Sequence, residues 1–397
     1  MKILFSPCHY IYDEYYAGSE YSWAFEIANR ISSKNSDSVV VTGFKRISKK
    51  KNYKIIEVQK NKTKPNMGFM NAILFGLNYF FESEKQIKNN FDILHHVLPF
   101  NISNTFNFSI IFHRQKIPTV IGPVQSQLSF NDTDNFIKKM LIFRLLTVAI
   151  YNFIKPFLSF LSNLTLKSAD TVVVINNHTK NILIKGGIRE NKIIIIPPGI
   201  DTKKFKFASL QNKSKSITEL LVVCHLVKRK AVDLVIKALN EALKENKNIV
   251  LRIVGDGPQK EALEKLVEEL NLNEYVVFEG FVSNCETLKY YQNAHIFVSM
   301  TRSESWGQMY LEAMASGLPI ITTMNIGSVD LVKDGRTGYL IEQENYLELS
   351  RKILKLINSK NNLSRFGENS RLDAEKKYDW DNVIIPKYLD IYNEKLF

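Results

Sequence analysis

Residues Ala294 to Pro319, AHIFVSMTRSESWGQMYLEAMASGLP, constrain this chain more than any other stretch. His295 to Ser299 is a β-branched and aromatic run that reads as a buried strand. Met300 to Ser305 is a polar loop. Trp306 to Ser316 then carries a helical pattern stopped by Gly317, with Pro319 just beyond. Strand, loop and helix start, in that order, gather unpaired backbone N–H groups and the positive end of the helix dipole at one spot, where a phosphate can sit. Ser305, Trp306, Gly307 and Gln308 form that spot, and Gly307 puts no side chain in the way of a close approach. Glu304 stands in the loop and Glu312 about two turns into the helix. Like charges repel, so these carboxylates are unsuited to holding the anion itself. They are suited to accepting hydrogen bonds from hydroxyl groups attached to it. A phosphate cradle flanked by two such carboxylates outlines a nucleotide-sugar site.

The rest of the chain supports an α/β reading. Strands are expected at Lys2–Ser6, Ser38–Thr42, Tyr53–Val58, Phe91–His95, Pro118–Ile121, Thr171–Ile175 and Lys192–Ile196. Helices near Glu20–Ser32, Phe69–Asn89, Asn135–Lys167 and His178–Lys185 alternate with them, the pattern of a mostly parallel sheet. The second half repeats it, with strands at Thr218–Cys224, Asn248–Val254, Tyr275–Gly280 and Ile320–Thr323. Gly255 to Pro258, GDGP, reads as a turn with Pro258 at a helix start. Asn325 to Val332 reads as a loop, and helices around Leu347–Ile357, Asn362–Lys377 and Trp380–Lys395 follow. At 397 residues the chain exceeds one ordinary core. The polar, lysine-rich stretch 202–216 lacks an apolar period and marks a linker, dividing domain 1–201 from domain 217–378, with a last helix over 379–397. No Gly-x-Gly-x-x-Gly follows the first strand, which excludes a dinucleotide fingerprint.

With seven residues between Glu304 and Glu312, ESWGQMYLEAMASGLP resembles the E-x7-E signature of the retaining family 4 glycosyltransferases. The resemblance implies the GT-B fold: two Rossmann-like, doubly wound α/β domains facing across a cleft, the C-terminal helix crossing back to the first. It implies that Glu304 contacts the donor sugar and Glu312 the nucleotide ribose, and that Phe281 and Val282 line the base pocket. Lys230 matches the lysine of a Gly-Arg-x-x-x-x-Lys-Gly loop that meets the donor diphosphate in relatives. His225 stands in the arginine's place; a neutral histidine donates one hydrogen bond and lacks the bidentate fork, so Arg229 or Lys228 is expected to compensate. In the first half, AGSE, Ala17 to Glu20, is similar to the family's Gly-Gly-x-Glu turn. Gly18 is therefore a candidate contact for the sugar or its phosphate, a plain helix cap by Ser19 being the competing reading. Gly122-Pro123-Val124 is similar to a branch of the family in which glycines follow; here Gln125, Ser126 and Gln127 replace them, and Gln125 is a candidate hydroxyl contact. His95 and His96 end a strand, where ligands bind in open α/β sheets, although strand-end histidines also serve structure. His96 joins Glu304 and Lys230 as a catalytic candidate, and His95 is a binding candidate.

The net charge of +13 is uneven: residues 1–200 hold 25 Lys/Arg against 13 Asp/Glu, and the remainder 28 against 27. A basic first half implies an anionic partner there. Residues 45–64 alone carry nine Lys/Arg and one acid, Glu57. Met67–Phe81 and Phe136–Leu166 are apolar but too short or too charged to span a bilayer, and suit its interface. A peripheral seat on an anionic membrane is expected, the competing reading being that both helices pack inside the first domain. No nucleic-acid motif accompanies the charge, so nucleic acid is not expected as a partner. Cys8, Cys224 and Cys285 are far apart and fit a reducing cytosol. Met1 leads straight into a strand without the apolar core of a signal peptide, so a cytoplasmic protein is expected. No Asp-x-Asp or ligand-spaced His/Asp cluster points to a metal. No cofactor is expected; side-chain cations and helix dipoles would balance the leaving group. The expected activity is transfer of a sugar from a nucleotide-diphosphate sugar, UDP-linked, to a glycan or lipid-linked acceptor. Alternatives are a nucleotide-sugar epimerase of the same fold, or a non-catalytic nucleotide-sugar-binding subunit, the latter motivated by His225 and Gln125.

Overall fold

The computed structural model describes residues 1–12, 20–34, 37–47, 51–58, 69–97, 100–101, 106–112, 117–125, 156–207 and 216–396. They form two compact units. Residues 1–125, 156–198 and 381–396 make the first, and Gly199–Trp380 the second. Among the described residues the first passage between units thus falls just ahead of the polar stretch 202–216, whose Phe205 is buried in the second unit.

The first unit runs β1 (Lys2–Tyr12), α1 (Glu20–Ser32), β2 (Asp37–Arg46), β3 (Lys54–Glu57), α2 (Phe69–Ile87), β4 (Ile93–His96) and β5 (Phe100–Asn101). It continues with α3 (Phe108–Phe112), β6 (Thr119–Gln125), α4 (156–168), β7 (Thr171–Val174), α5 (Asn177–Lys185) and β8 (Ile193–Ile195). Its eight strands pair in parallel in the order β3-β2-β1-β4-β6-β7-β8, with β5 beside β6. Parallel strands are covered on both faces, so they read as continuous apolar runs, and β4 and β7 are buried at every position. Leu4, Leu94, Ile121 and Val172 share one core. β1 runs well past the expected Ser6, and its register with β2 shifts between Phe5 and Cys8, where Pro7 has no N–H to offer the ladder.

The second unit runs β9 (Thr218–Val223), α6 (Val232–Ala242), β10 (Ile249–Val254), α7 (Lys260–Glu269), β11 (Val276–Gly280), α8 (Thr287–Asn293), β12 (Ile296–Ser299) and α9 (Gln308–Ala315). Then come β13 (Ile320–Thr323), α10 (Ile326–Leu331), β14 (Gly338–Ile341), α11 (Tyr346–Ile357) and α12 (Lys360–Asp373). The parallel sheet has the order β11-β10-β9-β12-β13-β14. Three expectations need correction here. α7 starts at Lys260, two residues after Pro258, because GDGP forms a turn of its own. α9 starts at Gln308, two residues after Trp306, because Gly307 has φ +84°, outside the helical region. Asn325 to Val332 is largely helical: Asn325 accepts from the Gly327 and Ser328 N–H groups while the Ser328 hydroxyl accepts from the Asn325 N–H, a capping box that nucleates α10.

The chain ends with α13 (Ile385–Leu396), which belongs to the first unit. There Arg30 of α1 pairs with Asp381 at 2.6 Å. Within the second unit, the Ile200 N–H donates to the Tyr378 carbonyl and the Trp380 N–H to the Ile200 carbonyl, so the segments that enter and leave the unit lie side by side.

Candidate active site

In the second sheet the strand order reverses at β9, whose neighbours are β10 on one side and β12 on the other. Ligands of open α/β sheets bind at such a switch point, beyond the carboxyl ends of the strands. The loops leaving β9 and β12 are the ones that carry Lys230 and Glu304. They are stitched together along their backbones. The Arg302 N–H donates to the Arg229 carbonyl at 2.9 Å, and Arg229 Nη1 donates to the Ser303 carbonyl at 2.6 Å. Lys230 Nζ donates to Glu304 Oε2 at 2.6 Å, and Arg229 Nη1 stands 3.6 Å from the same oxygen. Burial pushes the Glu304 carboxyl upward, but Lys230, Arg229 and the Ser305 N–H outweigh it and hold it below the usual carboxylate range. Glu304 is therefore an anion clamped by two cations.

The far side of the Glu304 loop rests on α10. The Gly327 N–H donates to the Glu304 carbonyl at 2.9 Å, and a Cβ on Gly327 would lie 2.5 Å from the Trp306 carbonyl oxygen. Ser305 and Trp306 are buried, and the Trp306 ring meets Tyr378 edge-on at 5.9 Å. Gln308 Nε2 donates to the Gly199 carbonyl at 3.0 Å. At Gly307 a Cβ would come within 2.5 Å of the Tyr310 ring, itself fixed by a 2.8 Å hydrogen bond to Thr322. Only glycine fits the turn that delivers the first N–H groups of α9 beside Lys230 and Glu304.

Glu312, partly exposed on α9, accepts a hydrogen bond from the Tyr291 hydroxyl at 2.7 Å. Burial pushes its carboxyl up to about 7, against the pull of Tyr291 and Lys204. Cys224, beside the cationic loop, has a thiol raised by burial to about 11 and is no thiolate at neutral pH. Phe281 follows β11 and is 82% exposed, with Val282 partly so.

His225 is exposed, and its Nδ1 lies 2.6 Å from the Asp256 carbonyl oxygen. A carbonyl only accepts, so the proton sits on Nδ1 and a neutral ring turns its bare Nε2 outward. With Nδ1 so engaged, only the imidazolium has a second proton to give a diphosphate. The GDGP turn beneath it explains its two glycines, since a Cβ on Gly255 would meet the Cys224 carbonyl and one on Gly257 the Leu226 carbonyl at 2.5 Å.

Placement in the first unit corrects two further expectations. His95 is fully buried, its Nδ1 2.6 Å from the Tyr392 hydroxyl of α13 and its Nε2 3.1 Å from the Gly122 carbonyl. Burial lowers it to about 3, so it is a neutral packing residue among Phe5, Tyr388 and Tyr392 rather than a ligand contact. His96 is also fully buried, in β4 beside Ile121 of β6, and has no surface to offer an acceptor. Gln125 ends β6, partly exposed and paired with Asn101 of β5. Gly18 lies outside the described residues. The residue that sequence reasoning passed over is Tyr291, which looks like helix filling three positions before Ala294. Among the described residues no group of His, Cys, Asp and Glu could hold a metal ion.

Two family models match. The model described as Glycosyl transferases group 1 covers residues 201–373, and Glycosyltransferase Family 4 covers residues 22–204. This chain belongs to the family 4-type glycosyltransferases. Among curated relatives, the poly(ribitol-phosphate) alpha-N-acetylglucosaminyltransferase of Staphylococcus aureus (strain COL) is 28% identical over 191 residues, 47% of this chain and 38% of that protein. The alpha-monoglucosyldiacylglycerol synthase of Acholeplasma laidlawii is 26% identical over 275 residues, 66% of each chain. The matches thus span less than two thirds of these relatives' own length. Among solved structures, a glycosyltransferase from Rickettsia africae ESF-5 superposes with TM-score 0.70 at 18% identity, covering 100% of this chain and 98% of that one. Anabaena HepE in complex with UDP gives TM-score 0.69 at 16% identity, covering 99% and 100%. These likenesses establish the fold, GT-B, with its two Rossmann-like units. In this family 4-type glycosyltransferase the Lys230–Glu304 pair lies within the stretch matched by the group 1 model.

Proposed function

We propose that this glycosyltransferase moves a sugar, with retention, from a UDP-linked sugar to a glycan or lipid-linked acceptor in cell-surface polysaccharide or glycoconjugate synthesis. The observation that carries the reading is the Lys230–Glu304 pair at the switch point of the second sheet, beside a helix start opened by Gly307. Lys230, Arg229 and the first N–H groups of α9 supply positive charge for a diphosphate leaving group, so no metal is required of the site. Glu304 offers an ionised acceptor to donor-sugar hydroxyls, and Glu312 one to the ribose. Attack on the same face, with the donor's β-phosphate taking the acceptor proton, fits a site without an evident enzyme nucleophile. The UDP complex of Anabaena HepE favours uridine, and the names of the Staphylococcus and Acholeplasma relatives favour glycan and glycolipid acceptors.

A peripheral seat on anionic membrane belongs to the same proposal. No helix among the described residues is long and apolar enough to cross a membrane. Yet Phe81 of α2, Phe112 of α3, and Phe157 and Phe160 of α4 are half or more exposed, and Phe80 joins the first two at ring distances of 5.5 and 6.0 Å. Lys51 and Lys54 of the basic stretch are exposed; Lys49 and Lys50 lie outside the described residues. Aromatic side chains and basic residues together suit a headgroup boundary.

The test is a thermal-shift panel of nucleotide sugars, followed by assays of donor hydrolysis and transfer with wild type and Glu304→Ala. Stabilisation by a UDP-sugar and loss of transfer in a folded Glu304→Ala are expected. Full activity in that variant overturns the role of Glu304, epimerised donor without acceptor marks an epimerase, and binding without turnover marks a binding subunit. For the membrane, co-sedimentation with anionic but not neutral vesicles, reversed by high salt, is expected; no binding at low salt ends that part of the proposal.

A further inference from the structure

Tyr291 is fully buried on α8, yet its hydroxyl reaches Glu312 Oε2 on α9 at 2.7 Å. Its ring is held by others: Phe297 of β12 lies 5.9 Å away at 28°, and Phe205 6.0 Å away at 72°. Such packing fixes the hydroxyl in place, and no apolar contact requires the oxygen. A buried hydroxyl aimed at a carboxylate on a neighbouring helix has one chemical use, which is to hold that carboxylate in one rotamer and occupy one of its oxygens. Glu312 is only partly buried, and the Tyr291 bond takes up Oε2 alone.

We infer that Tyr291 is a positioning residue for the donor nucleotide: by holding Oε2 of Glu312 it presents Oε1 to the ribose hydroxyls. The inference rests on the reading of Glu312 as the ribose contact. The electrostatics agree with it. Tyr291 lowers the Glu312 carboxyl against the push of burial, and Lys204, from the segment entering the unit, lowers it as well. Cys224, after β9, is the other titratable group near Tyr291. Without the Tyr291 hydroxyl the carboxyl would rise further and lose its charge at a higher pH, and a protonated carboxyl is the poorer acceptor for a ribose.

The experiment measures binding of UDP and of 2′,3′-dideoxy-UDP, and of the GDP and ADP pairs, to the full chain by calorimetry between pH 6 and 9. Wild type is expected to prefer the ribose form at pH 8 by about tenfold or more, the worth of one charge-assisted hydrogen bond. Tyr291→Phe, which keeps the ring, should bring that preference down to a few-fold while dideoxy binding stays unchanged. Its affinity for UDP should also begin to fall at a higher pH than in wild type. Glu312→Gln should abolish the pH dependence, and adding Tyr291→Phe to it should change nothing more. A Tyr291→Phe protein that keeps the full ribose preference and the wild-type pH profile overturns the inference alone. So does one that loses both ligands equally, which is the mark of a packing role. A wild type that binds nucleotides but does not distinguish the dideoxy forms overturns the reading of Glu312, and the inference with it.

Discussion

Replacing Lys230 by methionine keeps most of the side chain's apolar stem and removes its charge. Glu304 is then left with Arg229 at 3.6 Å and the Ser305 N–H. The two side chains of the pair are only 10% and 13% exposed, and 2.6 Å apart. At an effective dielectric near 20, two unit charges at that separation attract by about 6 kcal/mol, much of which offsets their desolvation. Removing one partner of a buried pair costs about 3–5 kcal/mol, because the other is left uncompensated. Arg229 remains, so Lys230→Met belongs near the lower end, at about 3 kcal/mol. Glu304→Gln should cost less, since the lysine stem lets its ammonium turn toward water. The double variant leaves neither charge of the pair unpaired, Arg229 keeping its bond to the Ser303 carbonyl, and should lose at least about 1.5 kcal/mol less than the sum of the singles. The assay is urea unfolding, followed through Trp306 and Trp380 of the second unit with Trp23 replaced by phenylalanine in every protein. The pH dependence checks the same idea. A carboxyl held below its unfolded value, about 4.3, stabilises the fold above that pH, and this is lost as pH falls through the folded value. Lys230→Met should remove that acid limb. Additivity within about 0.5 kcal/mol, or an unchanged acid limb, refutes the clamp.

Gly307→Ala forces an L-residue into φ +84° and drives its Cβ to 2.5 Å from the Tyr310 ring. Strain and overpacking together should cost about 2–5 kcal/mol and weaken diphosphate binding, read by thermal melts and calorimetry; a change under about 0.5 kcal/mol would contradict the geometry. Glu312 is raised from 4.5 to about 7, so stability should fall as pH rises through that window, by about 3 kcal/mol at most. Glu312→Gln should therefore be more stable than wild type at pH 8 while binding nucleotide less well, and lower stability there would reverse the sign argued for the buried carboxyl. Transfer should persist in excess chelator, and a loss restored by magnesium or manganese would count against balance of the leaving group by Lys230 and Arg229.

Much of the fold is legible because buried parallel strands are apolar throughout: Thr171–Val174 and Ile320–Thr323 announce themselves. Glu304 and Lys230 are legible by residue type and spacing, but their contact is not, since 74 positions separate them and only the sheet order brings their loops together. His95 misled for the same reason. Its strand-end position suggests a ligand, while its partner Tyr392 arrives from 297 residues away. The start of α9 was misplaced by two residues because apolar spacing does not reveal that Gly307 takes a positive φ. The capping pair Asn325 and Ser328 opens a helix of only six residues, too short for an apolar period to show in the sequence. Gly18 and residues 48–50 and 59–64 of the basic stretch lie outside the described residues.

The last helix has a consequence for how the chain is made. Among the described residues the second unit is the stretch Gly199–Trp380, whereas the first takes in residues on both sides of it. On the ribosome, His95 and Arg30 emerge before the second unit, but the Tyr388 and Tyr392 rings that pack on His95, and the Asp381 that pairs with Arg30, emerge after it. The unit begun first thus gains these partners only after the stretch Gly199–Trp380 of its neighbour has been made. A chain cut after Trp380 keeps Gly199–Trp380 whole but takes the Tyr388 and Tyr392 rings off His95, so α13 is what closes the core of the unit begun earlier.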